Sequence, residues 1–174
     1  MQFAKDSFFL ALQSRLAALN PARTVTISGA TVPAIVVVEN LPPSSADPQA
    51  NTFYVEWGTA EVVRAHANSS PMMSLDVVIS YSTFGSVASM VDRGRLLGQL
   101  DSELLAICQP PNTEKRDYTQ SPSVGLGTSL VWTQPIFSEQ RRSDVTNLAE
   151  RHQDARVERK AKLKIYFFAE ATLS

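Results

Sequence analysis

Two stretches of this chain repeat apolar residues at helical steps, and most of the remainder alternates as strands do. The longer helical stretch is Ala88 to Gln109, where Val91, Leu97, Leu100, Leu104, Ile107 and Cys108 form one side. Arg93, Arg95, Gln99, Asp101, Ser102 and Glu103 form the other. Such a stripe has to be buried, and a sheet face is the natural partner. The first helix is expected over Asp6 to Leu19, with Phe8, Phe9, Leu12, Leu16 and Leu19 inward and Asp6 or Ser7 as its cap. Asn20-Pro21 ends it, because the residue before proline is steered away from helical angles.

Between and after the helices the pattern is that of strands. Thr24 to Ile27 is a short strand, followed by a turn at Ser28 to Thr31. Pro33 to Glu39 is almost continuously apolar, as a strand covered on both faces or lying centrally would be. Thr52 to Ala67 and Met73 to Phe84 read as a long hairpin, with a bulge or bend at Gly58 and the turn at Asn68 to Pro71. In the second of these strands Leu75, Val77, Ile79 and Tyr81 share a face, and Asp76 and Ser80 lie on the other. Val124 to Phe137 holds a further strand packing Leu126, Leu130 and Trp132. Arg156 to Ala169 alternates Ala161, Leu163, Ile165 and Phe167 against Lys160, Lys162, Lys164 and Tyr166. Three polar stretches, 41–51, 110–123 and 138–155, are expected as long loops, the last with a short helix around Val145 to Arg151. The expectation is a single α+β domain over residues 1–174. About six strands form its antiparallel or mixed sheet, and two helices pack on one face.

Composition adds little to this until the charges are placed. With 174 residues and 44% hydrophobic content the chain can bury one sizeable core. The net charge is only −1, yet residues 141–164 hold eight basic and four acidic side chains. That window carries +4 and leaves −5 for the rest, a split suited to contact between copies of the chain. Solvated charge without any partner is the plainer account. No apolar run reaches membrane-spanning length, and the N-terminal stretch lacks the pattern of a signal peptide, so a soluble, intracellularly made protein is expected.

The residues offer no reaction. Cys108 is the single cysteine, so neither an internal disulfide nor a cysteine-rich metal site can form. His66 and His152 stand in no metal-type spacing. Gly125-Leu126-Gly127 precedes a strand where a phosphate loop needs a helix, so a bent strand accounts for it better. Gly85 to Ser89 lacks the spacing of a nucleophile elbow. Asp92 and Asp101 lie too far apart on their helix to act as a carboxylate pair, and are expected as solvated charge. No enzyme, cofactor or metal is therefore expected. The row Lys160, Lys162, Lys164 has three readings: lysines guarding a strand edge, a seat for an acidic neighbouring subunit, or contact with passing nucleic acid.

The order of elements is similar to that of the tail terminator, or tail completion, proteins of tailed bacteriophages and tail-like particles. The residues that carry the resemblance are the hairpin from Thr52 to Ser82, the helix from Val91 to Ile107 and the strand from Ala155 to Ala169. The three long loops depart from the family pattern. The resemblance implies a virion protein assembled in the host cytoplasm, forming a ring, usually of six subunits, at the head-proximal end of the tail tube. Its implied partners are its own copies, the tube protein with or without a sheath, connector or neck proteins, and DNA in the lumen, with no membrane and no catalysis. A head–tail joining protein and a tube subunit are the related alternatives. A small enzyme or ligand-binding domain is the unrelated one. Candidate interface residues are Arg141, Arg142, Lys160, Lys162 and Lys164, with Glu114, Lys115, Arg116 and Asp117 in a second group.

Overall fold

The computed structural model describes residues 1–41, 48–66, 69–84, 91–139 and 156–170. Helix α1 (Gln2–Leu19) and helix α2 (Asp92–Ile107) pack on one face of a curled, mixed sheet. Strands β1 (Thr24–Ile27) and β2 (Ala30–Pro33) form a separate two-stranded hairpin. Among the described residues the main sheet has seven strands: β3 (Ile35–Val37), β4 (Phe53–His66), β5 (Ser69–Phe84), β6 (Asn112–Asp117), β7 (Val124–Trp132), β8 (Ile136–Glu139) and β9 (Arg156–Phe168). Its order is β3-β4-β5-β9-β7-β6, with β8 following β7 along the same side of β9. All pairs are antiparallel except β3 with β4. The α+β expectation is met.

The inner face of the sheet is the alternation read along the chain. Leu75, Val77, Ile79 and Tyr81 of β5 lie beside Ile165, Leu163, Ala161 and Arg159 of β9 in register. Phe53, Val55 and Trp57 continue that face onto β4, and Trp132 onto β7. Phe8 of α1 sets its ring edge-on to both Trp57 and Trp132. Leu97, Leu100, Leu104, Ile107 and Cys108 of α2 are all buried, as the stripe required, whereas Val91 is 54% exposed just ahead of the helix. Burial pushes the Cys108 thiol up to about 12, with the Arg15 guanidinium opposing the shift.

Polar side chains then fix each helix to the sheet. Arg15 of α1 donates to the carbonyls of Ile107 (3.0 Å), Pro110 (2.8 Å) and Asn112 (2.8 Å), while its guanidinium lies 5.3 Å from the Trp132 ring centre. It thereby satisfies carbonyls at and beyond the C-terminal end of α2, where positive charge is favoured. Glu103 of α2 receives Arg23 through two 2.8 Å bonds and Asn20 through a third. Asp101 accepts the Tyr81 hydroxyl at 2.5 Å and is paired with Arg159. Asp101, expected as solvated charge, is thus a fastener between α2, β5 and β9.

Several boundaries differ from the sequence reading. α1 begins at Gln2 rather than Asp6, so Ser7 lies inside the helix instead of capping it. Its hydroxyl donates to the Phe3 carbonyl and accepts the Arg116 N–H at 2.9 Å. The described part of α2 begins at Asp92, and residues 85–90 fall outside the described residues. Pro33 closes β2 opposite Thr24, and the apolar run after it gives only three strand residues before a 3-10 turn at Val38–Asn40. The hairpin turn in β1–β2 is Ser28-Gly29 alone, both at positive φ, which suits a two-residue turn. β5 starts at Ser69, so Ser69 to Pro71 belong to the strand. Leu126, expected to pack, is 37% exposed. Gly58 does mark a register shift, and a Cβ there would stand 3.1 Å from that of Asp76.

Two of the expected loops contain strands. Residues 112–117 form β6 although no apolar residue occurs in them. Their buried positions are instead Lys115 and Asp117. Lys115 lays its stem inward and donates from Nζ to the Phe168 carbonyl at 2.7 Å. Asp117 accepts the Thr119 hydroxyl (2.6 Å), the Thr119 N–H (2.9 Å) and the Gln120 amide (3.0 Å). Ser138 and Glu139 belong to β8, and the expected helix around Val145 to Arg151 lies outside the described residues.

Three outcomes follow from this packing. Arg15→Ala removes three charge-assisted bonds and should lower unfolding stability in urea by about 2–3 kcal/mol. Native Cys108 should be inert to a thiol reagent at neutral pH and react once the chain is denatured. The hydrogen bonds from Thr119, its hydroxyl foremost, hold the Asp117 carboxyl below its ordinary value. Its stabilising contribution is therefore complete above the unfolded carboxylate pKa and is lost as pH falls through the lower folded one. Asp117→Asn should flatten the loss of stability measured below about pH 4.

Candidate functional site

The face of the sheet turned away from the helices holds the candidate site. On β9 it presents Lys160, Lys162 and Lys164, followed by Tyr166 and Phe168. Opposite them on β5 stand Ser80, Val78, Asp76, Ser74 and Met72 in register. On the other flank, Ile136 lies opposite Lys162 and Val131 opposite Tyr166. β9 is hydrogen-bonded on both sides here, by β5 and by β7 and β8. Lysines guarding a sheet edge are therefore not the explanation of the row, because the strand has no free edge where they stand.

The three lysines are not equivalent. Lys164 is one-third exposed and lies 3.3 Å from Asp76 and 3.9 Å from Glu61. The Asp76 carboxylate holds its ammonium above the ordinary lysine value, first by hydrogen bonding and then by charge. Lys162 is exposed and Lys160 half-buried. Part of the basic excess is thus balanced within the subunit, and Lys162 keeps the most open position. Beside it Ile136 is 71% exposed, and farther along the same face Val131 and Phe168 are 45% and 46% exposed. Sequence reading missed these apolar positions as a group. Their common face depends on the side-by-side placement of β7, β8 and β9, which no local pattern states.

The second group of candidates sits at the far edge of the sheet, and its charges are mostly engaged within the subunit. Lys115 and Asp117 serve the internal bonds described above. Arg116 pairs with Glu114 and donates to Ser123 Oγ (3.1 Å) and to the Ser123 carbonyl (2.7 Å). Arg141 and Arg142 lie outside the described residues. The structure therefore does not bring the two groups together: β6 and the lysines of β9 are separated by β7.

A cleft of about 220 Å³ opens between Tyr54, Ser80, Tyr81, Glu158, Arg159 and Lys160. Its one strongly perturbed group is the Tyr81 phenol, pushed far above its ordinary value by burial and then by its bond to Asp101. A phenol held protonated against a carboxylate is a hydrogen-bond donor. It supplies neither a base nor a nucleophile near neutral pH. Glu158 and Arg159 flank it from the β9 side, and Arg159 is committed to Asp101. The cleft is a seam between strands with polar walls.

No helix among the described residues is long and apolar enough to cross a membrane. No protein-family model matches the chain, and no curated protein matches it. Among solved structures it is similar to a chain in the virion of a native gene transfer agent particle, at 17% identity and a TM-score of 0.39. The match covers 97% of this chain and 98% of that one. A likeness of that depth assigns no role.

Proposed function

We propose that this chain is a non-enzymatic structural subunit of a tailed-phage or tail-like particle. In this reading it acts as a tail terminator that assembles as a ring on the finished tail tube. The observation that carries the proposal is the outer sheet face. A lone subunit leaves Ile136, Val131 and Phe168 in water beside a row of lysines, as a surface meant for a protein neighbour does. The order of elements supports it further: a first helix, a long hairpin, a second helix, and an alternating strand after all of them. That is the order in which the sequence resembles the tail terminator family.

The mechanism is geometric. Copies meeting head to tail close into a ring when the rotation between neighbours divides the circle, and the closed ring exposes a top surface that tube subunits cannot extend. The same surface receives the connector of the filled head, and DNA passes through the lumen without base-specific contacts. Basic side chains of β9 would face acidic ones of the neighbour, giving attraction that weakens as salt rises.

Negative-stain images of the purified protein should show rings, and the protein should block elongation of tube subunits in vitro. Charge reversal of Lys160, Lys162 and Lys164 to Glu should abolish the ring in native mass spectrometry, leaving no species larger than a pair of subunits. The single change Lys162→Glu, at the exposed position, should weaken the ring in the same direction. Rings that persist unchanged in the triple variant would make this face ordinary surface.

A further inference from the structure

The two ends of the sheet are finished differently. At β6, the Ser7 hydroxyl bonds the Arg116 N–H at 2.9 Å, and the Arg15 guanidinium takes the Asn112 carbonyl at 2.8 Å. Helix α1 thus occupies groups that another strand would need. At the opposite end β3 pairs with only Phe53, Tyr54 and Val55 of β4. Among the described residues no strand pairs the outer side of β4 beyond Val55, although β4 runs on to His66. Such an edge offers outward N–H and C=O groups to any second strand, and proteins usually guard it with proline or lysine. Residues 58–66 contain neither, although the strand is bulged here and carries Glu61 and Arg64, and Val62 and Val63 are 59% and 52% exposed.

The register of β4 makes this edge complementary to itself. Glu61 stands opposite Ser74, Val62 opposite Met73, and Arg64 opposite Met72, so Val63 is an extra residue. In an unbroken strand residues 61 and 64 would point to opposite faces. The extra residue returns both to the outer face, one step to either side of the two valines. Glu61 is 60% exposed and reaches Lys164 only at 3.9 Å, while Asp76 holds that lysine more closely. Arg64 is exposed and has no ion-pair partner among the described residues.

We infer that the free edge of β4 pairs antiparallel with the same edge of a second copy, about a two-fold axis through Val62 and Val63. Glu61 then opposes Arg64 of the partner subunit, and Arg64 opposes Glu61 of the partner subunit, on the outer face, while the valines meet across the seam between them. Opposite charges directly across an antiparallel pair attract and like charges repel, so the arrangement also selects its register. A two-fold contact pairs two subunits but cannot by itself close a six-membered ring. The inference is independent of the tail reading.

The test is a charge swap in the full-length chain, read by sedimentation and native mass spectrometry. Glu61→Arg alone and Arg64→Glu alone should each weaken dimerisation by about tenfold, since two attractive pairs become repulsive. The double variant Glu61→Arg/Arg64→Glu should recover the wild-type constant, because every charge again meets its opposite. A monomeric wild type, single reversals without effect, or a double variant as weak as the singles would overturn the proposal. An oligomer lost on reversing the β9 lysines but indifferent to Glu61 and Arg64 would also overturn it and leave the ring standing. A second reading uses Val63→Cys, in which native Cys108 is buried and silent. Mild oxidation should link Val63→Cys subunits in pairs and leave a Val124→Cys control, across the sheet, unlinked. Absence of the Val63→Cys cross-link overturns the proposal.

Discussion

The sheet is one sheet because β9 lies in its middle. β3, β4 and β5 form one half and β6, β7 and β8 the other, and among the described residues they pair only through the strand at 156–168. Its inward side chains Ala161, Leu163, Ile165 and Phe167 complete the floor on which the helices rest. Its outward side chains supply the lysine row. One strand therefore decides both core and surface, with no freedom to slip. A shift by one residue would bury the lysines and expose the apolar set.

Charged groups then orient what the apolar surfaces only hold together. A helix on a greasy sheet could slide or rotate at small cost, but Asp101, Glu103 and Arg15 each require particular partners. All are partly buried and multiply bonded, which is the condition under which an ion pair offsets its desolvation. They fix the angle and position of α2 as well as adding to stability. The cleft beside Tyr81 is a by-product of the same arrangement, since its phenol and Arg159 are drawn inward to Asp101.

The sequence made legible what local periodicity controls. The stripe of α2, the faces of β5 and β9 and the bend at Gly58 were all readable, because each follows from the spacing of side chains along one element. β6 was not, because its buried positions are Lys115 and Asp117, whose partners are a carbonyl on β9 and a turn that forms after the strand. The start of α1 was misplaced for a related reason: Ser7 looks like a cap until β6 arrives to use its hydroxyl. Strand order was beyond local reading altogether. Whether three lysines lie on an edge or in the middle of a sheet depends on pairings made with residues as far away as Ile136 and Asp76.

The central place of β9 also bears on synthesis. A chain interrupted before Arg156 would carry two half-sheets, with β5 and β7 each presenting a raw edge and the inner face split down its length. Contacts this distant in sequence close last, after the longest loops have been paid for. Unfinished subunits would be targets for chaperones or proteases. They would also lack every lysine of the outer face. Whatever this surface joins, only chains translated past that strand can join it.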